Sequence, residues 1–202
     1  MCLSAFLFVL NLKMIVSDFH FLHSKYANIH KNWETAVVEG QKSIQANPWR
    51  HKPWFELAAA SNHLGFMEQA ITAYQGALNI HPNHINSLIG LSKAYFETNH
   101  LGDAASTLQR AIRILPDLDQ SHYNLGLIHE KLLRFQLAIQ NYRDTLALNK
   151  ANMDARYRLA MVLMREGQIG ESKKQFEELV RIKPDHAQAL HYLSIINASL
   201  KN

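Results

Sequence analysis

His20-x2-His23 and His81-x2-His84 are the pairs in this chain whose residue type and spacing come nearest to metal ligation. A structural or catalytic site needs three or four ligands, and neither pair has a cysteine or carboxylate at a recognisable spacing to complete the set. Four of the twelve histidines, His20, His23, His122 and His129, also fall in columns of regularly placed structural residues, while His81 and His84 flank a proline turn. Packed or solvated imidazole is therefore expected, and no metal or other cofactor. Cys2, the single cysteine, has no nearby base to make it a nucleophile. The eight glycines form no phosphate-cradling loop: Gly65, Gly102 and Gly167 read as turns and Gly126 as a close helix contact. The charged stretch from Glu171 to Glu178 reads as the solvated face of a helix. No catalytic activity is expected.

What must position these side chains is a repeat. From Trp54 to Pro82 the chain reads as two short amphipathic helices joined by a turn near Gly65, and moving 34 residues in either direction meets the same residue classes. The small residue Ala58 recurs as Ser24, Ser92, Gly126, Ala160 and Ser194. The leucine before it recurs as Leu91, Leu125, Leu159 and Leu193, with His23 breaking the column. Ala70 recurs as Ala36, Ala104 and Ala138, with Ser172 standing in once; Pro82 recurs as Pro48, Pro116 and Pro184, with Lys150 in the remaining place. Three residues before that alanine stand Trp33, Met67, Leu101, Phe135 and Ile169, a spacing that puts both columns on one buried stripe of the second helix. Small residues are needed where the two helices of a hairpin approach closely.

The spacing and residue classes resemble the tetratricopeptide repeat (TPR), with Leu125-Gly126 and Ala138-x3-Tyr142 the best-preserved pieces and His122 and His129 replacing the preferred Trp and Tyr. The resemblance implies an all-α, right-handed superhelical solenoid of about five helix hairpins (17–50, 51–84, 85–118, 119–152, 153–186) closed by a capping helix over 187–202. It implies a scaffold that binds a protein or peptide partner, either alone or as the substrate-recruiting or regulatory region of a larger enzyme.

A hydrophobic content of 48% supports a buried core and excludes wholesale disorder. The net charge of +4 is spread among acidic residues without a stripe, and the period of 34 departs from the 35 of the RNA-reading pentatricopeptide repeats, so nucleic acid is not the expected partner. One cysteine fits a reducing compartment, hence a cytoplasmic protein, with membrane association arising only through residues 1–16. That apolar segment lacks the leading positive charge and cleavage site of a secretory signal, and Asn11 and Lys13 interrupt it as a membrane span. Met14 as the true start is a further reading. In register it matches the second helix of a partial repeat, and packing on the first full repeat is the favoured expectation.

On the first helices, positions 4, 7, 8 and 11 of the unit share one buried arc. Position 5 points away from it, yet reads Phe21, Phe55, Ile89, Tyr123, Tyr157 and His191. Phe96, Leu127, Met161 and Met164 extend the apolar set, and Lys25, Asn62, Asn86, Lys93, Asn124 and Arg158 lie on the same side. In TPR proteins this face lines the concave groove. The resemblance thus implies a groove whose aromatic rings take apolar side chains while amides and cations hold a peptide backbone or its carboxylates. The bland alternative is that the adjacent repeat partly covers the position 5 side chains, which then serve as wall packing. The Lys and Asn positions of the chaperone-tail clamp are held here by Phe21 and Lys25, or Phe55 and Ala59, and the asparagine ladder of sugar-transfer enzymes survives only at Asn124, so neither of those ligands is expected.

Overall fold

The computed structural model describes residues 2–199, with side chains from residue 7 onward. Among the described residues there are eleven α-helices and no strand. Between Ile114 and Leu115 the chain divides into two compact units. The first holds α1 (Cys2–Ile29), α2 (Trp33–Ala46), α3 (His51–His63), α4 (Met67–Ile80), α5 (Ile85–Glu97) and α6 (Leu101–Ile114). The second holds α7 (Asp119–Lys131), α8 (Phe135–Leu148), α9 (Met153–Arg165), α10 (Ile169–Ile182) and α11 (Ala187–Ser199). No glycine- or serine-rich linker marks the division, which falls directly before Leu115-Pro116.

Helix ends follow local chemistry. The side chains of Asn32 and Asn152 accept from the amides of Thr35 and Ala155, satisfying donors that the first helical turn leaves free. Asn47, His81 and Lys183 end their helices outside helical geometry, each just before a proline, whose ring disfavours helix in the preceding residue. Gly102, expected in a turn, is the second residue of α6.

Inside each hairpin the small residues do what their recurrence demands. Ala58, Ala70, Gly126, Ala138 and Ala160 are fully or nearly fully buried. The contact is close enough for a hydroxyl on one helix to reach the backbone of the other: Ser24 Oγ donates to the carbonyl of Ala36, Ser92 Oγ to that of Ala104, and Ser172 Oγ to that of Ala160, at 2.8–2.9 Å. Each bond replaces the hydration that serine would lose on burial.

Between the two helices of a hairpin one residue turns through left-handed backbone, at Lys31, Gly65, Asn99, Leu133 and Gly167, a column with the repeat period and φ of 58–78°. Glycine and, less well, asparagine tolerate this region, whereas the Cβ of leucine clashes there. Leu133 is exposed and returns little by packing. Leu133→Gly is expected to raise unfolding stability by about 0.5–1 kcal/mol, the relieved strain exceeding the entropy lost by glycine; a lower midpoint in urea would contradict this.

Residues 2–16 differ from the expectation of a separate second helix of a partial repeat. They continue without a break into the first helix of the 17–50 unit, because no glycine or proline interrupts the run. Leu7 to Leu10 and Leu12 to Val16 are exposed wherever apolar, and Ser17 is the first buried residue among those whose burial is described. Among the described residues no helix is long and apolar enough to cross a membrane.

Candidate functional site

The position 5 side chains Phe21, Phe55 and Ile89 in the first unit and Tyr123 and Tyr157 in the second are half-buried. Each first helix packs on more than its hairpin partner: in the first unit α1 also touches α3, and α3 touches α5.

In the first unit the Arg50 guanidinium lies 5.6 Å from the Phe21 ring centre while also pairing with Asp18. Phe55 packs 6.2 Å from Tyr74 and presents its ring edge-on to His84 at 5.2 Å. Tyr74 is buried, and that burial pushes its hydroxyl up to about 12. Gly90 makes room for the Tyr74 ring beside Ile89, since a Cβ there would stand 2.3 Å from it. Lys25, Asn86 and Lys93 are exposed, Phe96 is half-buried, and the Asn62 amide oxygen is buried without a hydrogen-bond partner. In this unit half-buried Phe21, Phe55 and Ile89 thus stand on helices that also carry exposed Lys25, Asn86 and Lys93.

In the second unit Tyr123 lies 6.0 Å from Tyr142, and burial first, then the Asp154 charge, raises its hydroxyl pKa. Arg158 donates to Glu130 at 3.3 Å, and the Tyr142 hydroxyl donates to the other oxygen of the same carboxylate at 2.7 Å. Arg158 is therefore already engaged by an internal anion. Glu130 was absent from the sequence-based set, although its twelve-residue offset from Tyr142 matches that of Ser24 and Ala36. Asn124 is half-buried and accepts from Gln120 at 2.8 Å, and Leu127 packs against the core. Tyr157 sits among Phe176, His186 and Tyr192 with ring centres 5.8–6.5 Å apart. Met161 and Met164 line a cavity of about 220 Å³ with Glu130, Phe135 and Arg165. His191, last of the column, is exposed.

A second cavity, of about 360 Å³, opens in the first unit between Trp49, Trp54 and the α4 residues Thr72, Gln75 and Gly76. Trp49, 82% exposed, was not in the expected set; its one sequence signal is a large aromatic residue after Pro48 that belongs to no column.

Among the described residues no group of three or more His, Cys, Asp or Glu side chains is placed to hold a metal ion. His20 instead bonds Glu39 at 2.6 Å, and His129, buried, is bonded to Asn141 at 3.1 Å. His23, assigned from the register to a structural column, is exposed and bonds the Phe19 carbonyl one turn back. His51, His81 and His84 cluster with ring centres 5.0–5.8 Å apart. Burial, then the neighbouring histidines' charge, holds His51 and His84 below the ordinary 6.5, and burial followed by the Arg134 charge does the same for His129. Between those lowered values and 6.5 the unfolded chain binds more protons than the folded one. The stability these groups contribute is thus complete above about pH 6.5 and lost as pH falls through their folded-state values. The thermal midpoint is expected to decline from pH 7 to pH 5, with a shallower decline in His51→Gln/His84→Gln; an unchanged slope would contradict the assignment.

Three sequence-family profiles, each described as tetratricopeptide repeat, match residues 50–117, 89–152 and 134–194. Anaphase-promoting complex subunit 3 of Schizosaccharomyces pombe is 27% identical over 126 residues, covering 62% of this chain and 19% of that protein. The human protein O-mannosyl-transferase TMTC3 is 30% identical over 132 residues, covering 64% of this chain and 14% of its own. The chain thus spans less than a fifth of the length of these curated relatives. Among solved structures, YrrB, a TPR protein described as having an unusual peptide-binding site, superposes with a TM-score of 0.70 at 24% identity, over 81% of this chain and 84% of its own. The matched profiles together run from residue 50 to residue 194, and the chain belongs to the tetratricopeptide repeat proteins.

Proposed function

We propose that this protein is a non-catalytic interaction scaffold that holds a short extended or helical segment of a partner protein against the first-helix faces of its repeats. The reading is carried by one observation: half-buried Phe21, Phe55 and Ile89 in one unit, and Tyr123 and Tyr157 in the other, each border exposed polar or charged groups. A ring that is partly covered is already ordered, so a ligand side chain laid on its open edge gains contact at small entropic cost. Lys25, Asn86 and Lys93 supply donors for carbonyls or carboxylates of an extended chain. Arg158, committed to Glu130, acts by holding the Tyr123 wall.

The likeness to YrrB supports peptide binding, and the likeness to a subunit of the anaphase-promoting complex supports a role in assembling other proteins. The match to TMTC3 favours a second reading, in which the chain is the substrate-recruiting part of a larger enzyme. Peptides selected from a displayed random library on the wild-type protein should bind Phe55→Ala/Tyr123→Ala/Tyr157→Ala at least tenfold more weakly, roughly 1.4 kcal/mol. Circular dichroism should show retained helix. Equal affinity in the folded variant would reject these faces.

A further inference from the structure

Phe8, Leu12, Ile15, Phe19, Leu22, Tyr26 and Ile29 follow one another along α1 at alternating spacings of four and three, and each is 50–70% exposed. The opposite face carries Ser17, Ser24 and Ala27, all buried. Thus α1 turns small residues inward and large apolar ones outward, the reverse of an ordinary surface helix. A straight helix has about 3.6 residues per turn, so a stripe that keeps 3.5 for three heptads stays aligned only along another helix wound beside it.

Length limits what that helix is. In α3, α5 and α9 the third and tenth repeat positions are buried (Pro53 and Ala60, Ser87 and Ala94, Ala155 and Val162), and each of these helices packs on the preceding second helix. The same positions in α1 are Phe19 and Tyr26, exposed, and α1 runs unbroken from Cys2, so among the described residues no turn before Ser17 folds a hairpin onto them. Phe8, Leu12 and Ile15 lie beyond the packed body. Covering the seam requires a helix of more than 20 residues, about 32 Å at about 1.5 Å per residue. Among the described residues only α1, at 28, has that length; the other helices have 13 or 14.

We propose that α1 pairs antiparallel with α1 of a second copy, so that the chain assembles as a two-fold dimer in which Lys25 serves the dimer seam and not the peptide-binding face. Phe19 then packs on the partner copy's leucine at position 22, Ile15 on its tyrosine at 26 and Leu12 on its isoleucine at 29, each layer occurring twice. In this register Asp18 stands beside the second copy's lysine at position 25, also twice, while it keeps its contact with Arg50. Aromatic side chains bury about 150–250 Å² each and aliphatic ones less, so pairing Leu12 through Ile29 from this degree of exposure, with Phe8 beyond the partner's helix end, removes on the order of 600 Å² per copy. A stable association buries about 800 Å² per partner.

Light scattering on the full chain at about 50 µM tests this, the concentration being set by the micromolar end of the range for interfaces of this size. The expected mass is twice 23.1 kDa. Phe19→Glu/Leu22→Glu alters exposed side chains only, so it should keep wild-type circular dichroism while raising the dimer dissociation constant at least about 100-fold. Asp18→Lys and Lys25→Asp should each weaken the dimer, and the double reversal should restore it to within about threefold. A wild-type mass of 23.1 kDa would overturn the proposal, and monomer that sediments with phosphatidylcholine and phosphatidylserine vesicles would assign the seam to a membrane surface instead. A dimer that survives Phe19→Glu/Leu22→Glu, or a double reversal no better than the singles, would overturn the interface or its antiparallel register.

Discussion

Tyr142→Ala is expected to lower the stability of the 115–202 unit by about 3–5 kcal/mol, the range for removing a large ring from a core. Tyr142 is 0% exposed and packs with Ile139, Leu159 and Leu163. Its ring lies against Gly126, where a Cβ would stand 2.6 Å from it, so the space is shaped for an aromatic ring and does not close around alanine. Tyr142→Phe separates the two contributions. It keeps the ring and loses only the hydroxyl's bond to Glu130, a carboxylate that retains Arg158, so a cost of about 1–2 kcal/mol is expected. Urea unfolding followed by circular dichroism reads both. A loss below about 2 kcal/mol for the alanine variant would mean that the ring's surroundings collapse readily and that Gly126 is not there to admit it.

The hairpin contact was legible in sequence because it obeys the repeat period directly. Ala58 with Ala70, and Gly126 with Ala138, are small wherever the helices cross, and the serine alternatives at Ser24, Ser92 and Ser172 are explained by the carbonyls they reach. Half-burial at position 5 was legible only as the alternative in which the adjacent repeat partly covers these side chains. A face assignment from periodicity treats a helix as having one neighbour, whereas α3 touches α1, α2, α4 and α5 at once. The same limit hid the burial of positions 3 and 10, such as Ser87 and Ala94, which look unremarkable one repeat at a time.

Residues 2–16 were misread for a related reason. Aligned to the repeat, Phe19, Leu22 and Tyr26 look like degenerate core residues, and only the heptad spacing that links them to Phe8, Leu12 and Ile15 distinguishes them. Two periods overlap in that segment, one of 34 residues set by the stacking of hairpins and one of 3.5 set by a helix seam, and the longer masks the shorter. The Tyr142, Glu130 and Arg158 group shows a different limit: polar partners twelve or more residues apart on adjoining helices are specified by three-dimensional proximity, not by any short motif.

Ala138→Leu is expected to destabilise the same unit by about 3 kcal/mol, although it adds apolar surface. Its three extra carbons would return roughly 2.4 kcal/mol if room existed to bury them, at about 0.8 kcal/mol per carbon. None exists, because Ala138 is 0% exposed in the crossing of α7 and α8, where Gly126 in the matching column of α7 already lets the helices approach. The leucine must either push the helices apart, giving up contacts along both, or take a strained rotamer. Ala147→Leu on the exposed side of α8 is the control, with an expected change within about 0.5 kcal/mol. If Ala138→Leu were as mild as Ala147→Leu in urea unfolding, close helix approach could not be the reason that this column holds alanine in four hairpins and serine in the fifth.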